Sequence, residues 1–380
     1  MNIFFKGLNE LRGVAALAVV FHHIELYKHR ENGKSLFDGY GYAFIEGLGK
    51  NSVYLFFVLS GFLITYLLLT ELKLKGDIDA FKFYLRRVLR IWPLYYLITI
   101  LSFFIFPFIV THFKLAEGSY YHTLASSLHE DFGWRLFLFA MFLPNLALIL
   151  FKAVPGAAQS WSVGVEEQFY ILWPQLLKRF KNNVLTLLIG VIVVKFLLYY
   201  AAILGSRSVP QLKTVVSFLR SFNIELMAMG GIGAYLLIHG RLERVYAWLP
   251  RFANAFFVLT SLLMLWFSIH YLLLSFSFLM LILLNINDKH AFFRGKFFTF
   301  VGDISYGVYM YHPLVMFFVF TGVQYVFGNE NLVLFNGLVY AFIFGFTILV
   351  SYLSFRYFES FFLRQKEKFI VVASGKKVMP

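Results

Sequence analysis

Arg12 and His23, eleven positions apart, lie in the first apolar run of the chain, LNELRGVAALAVVFHHIELY at residues 8–27. An imidazole titrates near neutrality and can take a proton, while a guanidinium stays cationic and can steady an anion. Eleven residues of helix make about three turns, so both side chains share one face, about 16 Å apart along the axis. That is about half the thickness of a bilayer core. Charged groups at membrane depth cost several kcal/mol and mark functional sites by default. A snorkelling arginine with an interfacial histidine gives the same pattern without chemistry. His22 points about 100° away from His23, so the adjacent pair is poorly placed to chelate one ion.

Three further stretches carry chemistry. In FYLRRVLRIWPLYY, Arg86, Arg87 and Arg90 are spaced i, i+1 and i+4, a tight cationic patch at a helix entrance, with Pro93 suited to the first turn of the membrane helix that follows. Planar guanidinium groups suit phosphate, although a stop at the anionic lipid surface has the same composition. In QSWSVGVEEQFYILWP, residues 159–174, Glu166 shares a face with Phe169, Tyr170 and Trp173; Ser162 is one turn above it and Glu167 points elsewhere. Trp161 and Glu167 are read as supporting residues, and a Trp/Tyr interfacial belt is the bland alternative. In GDISYGVYMYHPL, residues 302–314, Ser305, Tyr309 and His312 form a polar stripe at i, i+4 and i+7, with Tyr306 beside it. Inter-helix hydrogen bonding alone would explain such a stripe. Lys195, Arg220 and Glu225 are ionisable at membrane depth and have no partner legible in the sequence.

Composition says what must hold these residues. The chain is 60% hydrophobic and 14% charged, against about 45–50% and 25% in soluble domains. The net charge of +14 comes from short Lys/Arg clusters between apolar runs, the positive-inside pattern rather than a nucleic-acid footprint. Without cysteine there are no disulfides, thiolate metal sites or thiol nucleophiles, and no His-rich or HExxH spacing implies a metal. Glu10 and Arg12 interrupt the first run, which therefore does not read as a cleavable signal.

Apolar stretches of spanning length fall near 8–27, 51–72, 91–111, 134–152, 162–178, 183–204, 218–239, 253–269, 271–286, 300–321 and 332–357. Basic clusters lie at Lys73–Arg90, Lys178–Lys181, Arg241–Arg251, Asp288–Lys296 and Arg364–Lys368. Placing all five on the cytoplasmic side, with both termini, leaves 112–161 beginning and ending outside. The run 134–152 then cannot cross, and Pro144–Asn145 marks a break in it. The expected fold is all-α: about ten transmembrane helices, with one re-entrant segment between the third and fourth. The expected layout is one membrane domain over 1–365 and a basic cytoplasmic tail over 366–380.

These motifs together resemble the membrane-bound acyltransferase 3 family, whose bacterial members O-acylate carbohydrates at the cell surface. The resemblance rests on Arg12 and His23 with ten residues between them, FFVLSGFLI at 56–64, RRVLRIWPLYY at 86–96, QSWSVGVEEQFYILWP, GDISYGVYMYHP and a terminal RYFES at 356–360, in the family's order. Val163 stands where the family usually has Leu, a conservative change. Some members carry an additional extracytoplasmic hydrolase-like domain, and none is expected here, leaving acceptor selection to the membrane domain or a partner protein.

The resemblance implies a bacterial inner-membrane enzyme that takes an acyl group, acetyl in the first instance, from cytoplasmic acyl-CoA to a hydroxyl of an extracytoplasmic carbohydrate. Acyl-CoA would be a co-substrate, with no resident cofactor, and the partners would be donor, carbohydrate acceptor and lipid bilayer, without nucleic acid. On this reading Arg86, Arg87 and Arg90 hold the donor and His23 is the base. Arg12 steadies the donor or the oxyanion, and Glu166 orients the imidazole; an acylated His23 in a two-step reaction is equally open. The rival reading is a transporter or exporter in which Arg12, His23, Glu166, Lys195 and Glu225 relay protons. No inverted repeat is visible to support it.

Overall fold

The first helix, α1 (Leu8–Arg30), must place polar residues inside a bundle, and glycine lets its neighbours come close enough to cover them. In this computed structural model, which describes all residues except 1, 4, 6, 32, 34, 38, 251, 288–294, 371–372 and 375–380, the remaining long helices are α2 (Tyr40–Lys75), α3 (Ala80–Ile100), α4 (Ser160–Arg179), α5 (Val184–Gly205), α6 (Ile224–Ile238), α7 (Ala253–Trp266), α8 (Tyr271–Ile286), α9 (Lys296–Asp303), α10 (Ser305–Phe327) and α11 (Leu332–Ser354). The part of the basic cluster at 288–294, Arg251 and most of the tail beyond 370 lie outside the described residues. A two-residue parallel pairing joins Asn2–Ile3 to Ala373–Ser374, and the described chain is otherwise helical.

Two close approaches set the arrangement. A Cβ at Gly302 of α9 would lie 1.9 Å from the Asn9 carbonyl oxygen of α1, and one at Gly13 would lie 2.5 Å from that of Phe298. Helices α2 and α6 meet in the same way: a Cβ at Gly61 would sit 2.0 Å from the Met227 carbonyl oxygen, and one at Gly230 at 2.0 Å from that of Val58. Lipid offers no hydrophobic incentive for helices to associate, so such backbone approach supplies van der Waals contact instead.

Among the described residues, six helical stretches are long and apolar enough to cross a membrane: 40–75, 80–112, 184–205, 212–238, 305–327 and 332–369. Helices α1 and α4 are of spanning length and fall outside this set because they carry the ionisable residues.

Three expectations are corrected in detail. Pro93 is not in a first turn: α3 begins at Ala80, N-capped by Asp79, whose side chain accepts from the Lys82 amide at 3.0 Å. The arginine stretch is thus the opening of the membrane helix itself, and Pro93 lies in mid-helix. The run 218–239 is two helices, Leu212–Ser221 and α6, broken at Phe222–Asn223. The run 300–321 is α9 followed by α10, with a turn at Ile304.

Beyond Ile100 the third helix widens into a π-turn at Leu101–Ile105 before continuing as Phe106–His112. Pro107 lacks the N–H that an α-turn would use and crowds the preceding carbonyls, and the wide turn relieves both. The stretch 134–152 is broken where Pro144 stands, into short helices Phe132–Ala140 and Pro144–Leu150. Each is too short to span a bilayer. The carbonyls at the end of the first are capped by α3, Tyr95 donating to Phe139 O at 2.8 Å and Tyr96 to Ala140 O at 2.9 Å. Gln168 of α4 holds the break, donating to Phe142 O and Asn145 Oδ1, both at 2.9 Å.

Candidate active site

Five helices converge on one internal cavity of about 100 Å³. Arg12 comes from α1, Ser60 from α2, and Arg87 and Arg90 from α3. Ser162, Glu166 and Tyr170 come from α4, and Ser305, Tyr306 and Tyr309 from α10. Among the described residues none of Arg12, Arg87 and Arg90 forms an ion pair. Arg87 lies over the rings of Phe83 and Tyr170, at 5.6 and 5.5 Å, and its buried Nε has no hydrogen-bond partner. Glu166 is the cavity's carboxylate, and both its oxygens are taken: Ser60 donates to one at 2.8 Å and Tyr170 to the other at 2.9 Å. The cavity therefore carries a surplus of positive charge, held in place before any ligand arrives.

Above this cavity Tyr309 forms the link to the histidines. Its hydroxyl shares a 2.7 Å hydrogen bond with Ser162 and donates to Gln159 O at 3.0 Å. One turn on, the His312 ring stands 6.0 Å from Tyr309 and 4.8 Å from His23. His23 Nδ1 lies 2.9 Å from Val19 O, and His312 Nδ1 lies 3.3 Å from Val308 O. A carbonyl only accepts, so in each ring the proton sits on Nδ1 and the lone pair is at Nε2. The Nε2 of His312 is buried without a partner. His22 packs edge-on against His23, its ring filling the space a Cβ at Gly49 would need.

The structure thus brings Arg12, Arg87, Arg90, Glu166, Ser162, Ser305, Tyr306 and Tyr309 together, with His23 and His312 next to them. Other expected residues lie elsewhere. Arg86 turns outward, pairing with Glu71 at 3.7 Å and donating to Phe369 O at 2.8 Å. Glu167 accepts from Trp92 at 3.0 Å, and Trp161 packs edge-on to Phe57. Glu166 does not hold the imidazole as expected; the α1 carbonyl and the neighbouring histidines do. Within the cavity wall, Tyr306 donates to Ile91 O at 2.9 Å and Ser305 to Gly302 O at 2.8 Å, joining α10 to α3 and to α9.

Two polar clusters were not assembled by the sequence reading, which missed the first and singled out Lys195 and Glu225 of the second without pairing them. Lys28 reaches Glu25 and Asn336, both at 2.5 Å, and lies over the Tyr340 ring. Ser35 and Tyr340 also donate to Glu25. The i, i+3 spacing of Glu25 and Lys28 was the available signal. Lys195 pairs with Glu225 at 2.6 Å, with Tyr271 donating to the same oxygen at 2.9 Å. No spacing rule could have joined residues on α5, α6 and α8.

A family model described as an acyltransferase domain matches residues 5–356. The chain belongs to the acyltransferase 3 family. Among curated relatives of this acyltransferase, the peptidoglycan O-acetyltransferase OatA of Listeria monocytogenes is 28% identical over 179 residues, 46% of this chain and 24% of the relative. The putative peptidoglycan O-acetyltransferase YrhL of Bacillus subtilis is 28% identical over 177 residues, 46% of this chain and 24% of the relative. The O-acetyltransferase OatA of Staphylococcus aureus is 29% identical over 196 residues, 49% and 28%. The chain spans about a quarter of the length of the curated relatives it matches. No solved structure matches.

Proposed function

We propose that this acyltransferase moves an acetyl group from acyl-CoA on the cytoplasmic side to a hydroxyl of an extracytoplasmic carbohydrate, of the peptidoglycan kind named for its relatives. The observation that carries the reading is the cavity of three arginines, none of which forms an ion pair among the described residues, with Tyr309 in its wall and the His312 ring 6.0 Å beyond, beside His23. Unpaired buried cations are costly unless an anion completes them, and a nucleotide thioester brings several phosphates.

In the direct reaction the sugar hydroxyl attacks the thioester carbonyl as its proton passes to His23 Nε2. Arg12, about three turns of helix from His23, steadies the donor. The new C–O bond forms, the C–S bond breaks, and the leaving thiolate takes the proton from His23. This layout takes ten spanning helices: the six apolar stretches, the shorter α7 and α8, and α1 and α4, which bring Arg12, Ser162, Glu166 and Tyr170 to the cavity. The broken segment 132–150 then stays on the outer side as a re-entrant element in the inner membrane, and both termini are cytoplasmic.

The test uses sealed vesicles containing the full chain. Acetyl-CoA supplied on the side of the arginines should give O-acetylated carbohydrate on the other. Substrate flux without acyl turnover would overturn the reading in favour of transport.

A further inference from the structure

We propose that Lys366, carried on a C-terminal strap under the bundle, is a fourth cation for the donor's phosphates; this rests on the acyl-CoA reading above. After α11 a π-turn at Phe355–Glu359 re-aims the chain into the short helix Ser360–Lys366, which packs against α3. The strap is fastened twice more. Phe369 O accepts from Arg86 at 2.8 Å, and Ala373–Ser374 pairs with Asn2–Ile3. These contacts bring Lys366 into the field of Arg90, Arg87 and Arg86.

The anions nearby do not cancel this cluster. Glu71 pairs with Arg86, Glu359 faces Arg90 while accepting from Ser354, and Glu367 is the carboxylate acting on Lys366. Among the described residues Lys366 forms no ion pair. A half-buried ammonium in the field of Arg90 and Arg87 is unfavourable in isolation. It becomes favourable when a polyanion lies between it and those two arginines, the ammonium serving as a point charge beside the planar forks. Arg86, paired with Glu71 and donating to Phe369 O, clamps the strap instead.

The experiment measures coenzyme A affinity calorimetrically for the full chain in lipid nanodiscs, alongside the KM for S-acetyl-pantetheine, which has the thioester arm and no phosphate. Lys366→Ala should weaken coenzyme A by about tenfold or more, the scale of one charge-assisted contact, and Lys366→Glu by more still. Lys366→Arg should stay near wild type, and S-acetyl-pantetheine kinetics should not change. Unaltered coenzyme A affinity in Lys366→Ala overturns the proposal, as does an equal loss for both donors, which marks a structural role. If Arg87→Ala weakens coenzyme A and Lys366→Ala does not, this inference alone falls. If the wild-type chain does not bind coenzyme A, the donor reading falls with it.

Discussion

An imidazole whose Nδ1–H is committed to its own helix has its basic site fixed at Nε2, and in this chain two such rings face each other. His23→Ala should lower acetyl transfer by about 10² or more while leaving coenzyme A binding near wild type. His22→Ala should be much milder, because that ring packs on Gly49 and supports His23 only from its edge; equal loss in a transfer assay would reassign the base. Arg87 and Arg90 make the second prediction. Their double Ala variant should raise the donor KM at least about tenfold, and a Lys pair should restore only part of it. Unchanged donor kinetics would return them to a lipid-surface role. The spacing of Arg12 and His23 was legible because it is local to one helix. Tyr170, at i+4 from Glu166, was legible for the same reason, but the second partner was not: Ser60 is 106 residues away, and nothing in either stretch names the other.

Helix positions were easier to read than helix contacts. Apolar length located the long helices, and Pro144 located the break in 134–152, since both are properties of one segment. The turns at Ile304 and Phe222–Asn223 were missed although Asp303 and Ser305 flank the first and Ser221 and Asn223 mark the second, because each short polar group lies inside a run whose apolar length reads as one span. Which glycines touch a partner backbone depends on the partner, so Gly302 and Gly61 looked like Gly190 or Gly322, which face open space. Gly302→Leu should separate α1 from α9 and cost at least about 1–3 kcal/mol through overpacking. A lower Tm in detergent, with transfer lost, is the expected result, whereas Gly322→Leu should leave both near wild type.

Over the whole molecule, charge and parity make a prediction that no single contact makes. Reporter fusions near residue 120 and at Gly156 should both report the outer side; a cytoplasmic signal at Gly156 would mean that 132–150 crosses and would invert every later helix. The packing of α1 against α9, α10 and α11 has a consequence for synthesis. The ribosome must add more than 260 residues between Arg30 and Lys296, about 13–53 s at about 5–20 residues per second. Through that interval the nascent α1 has α2 beside it but lacks α9, α10 and α11. Glu25 and Lys28, one turn apart, can neutralise each other at once, while Asn336 and Tyr340 follow about 300 residues later. The local half of that cluster therefore protects the newborn helix in the bilayer, and the distant half locks it only after α11 has been made.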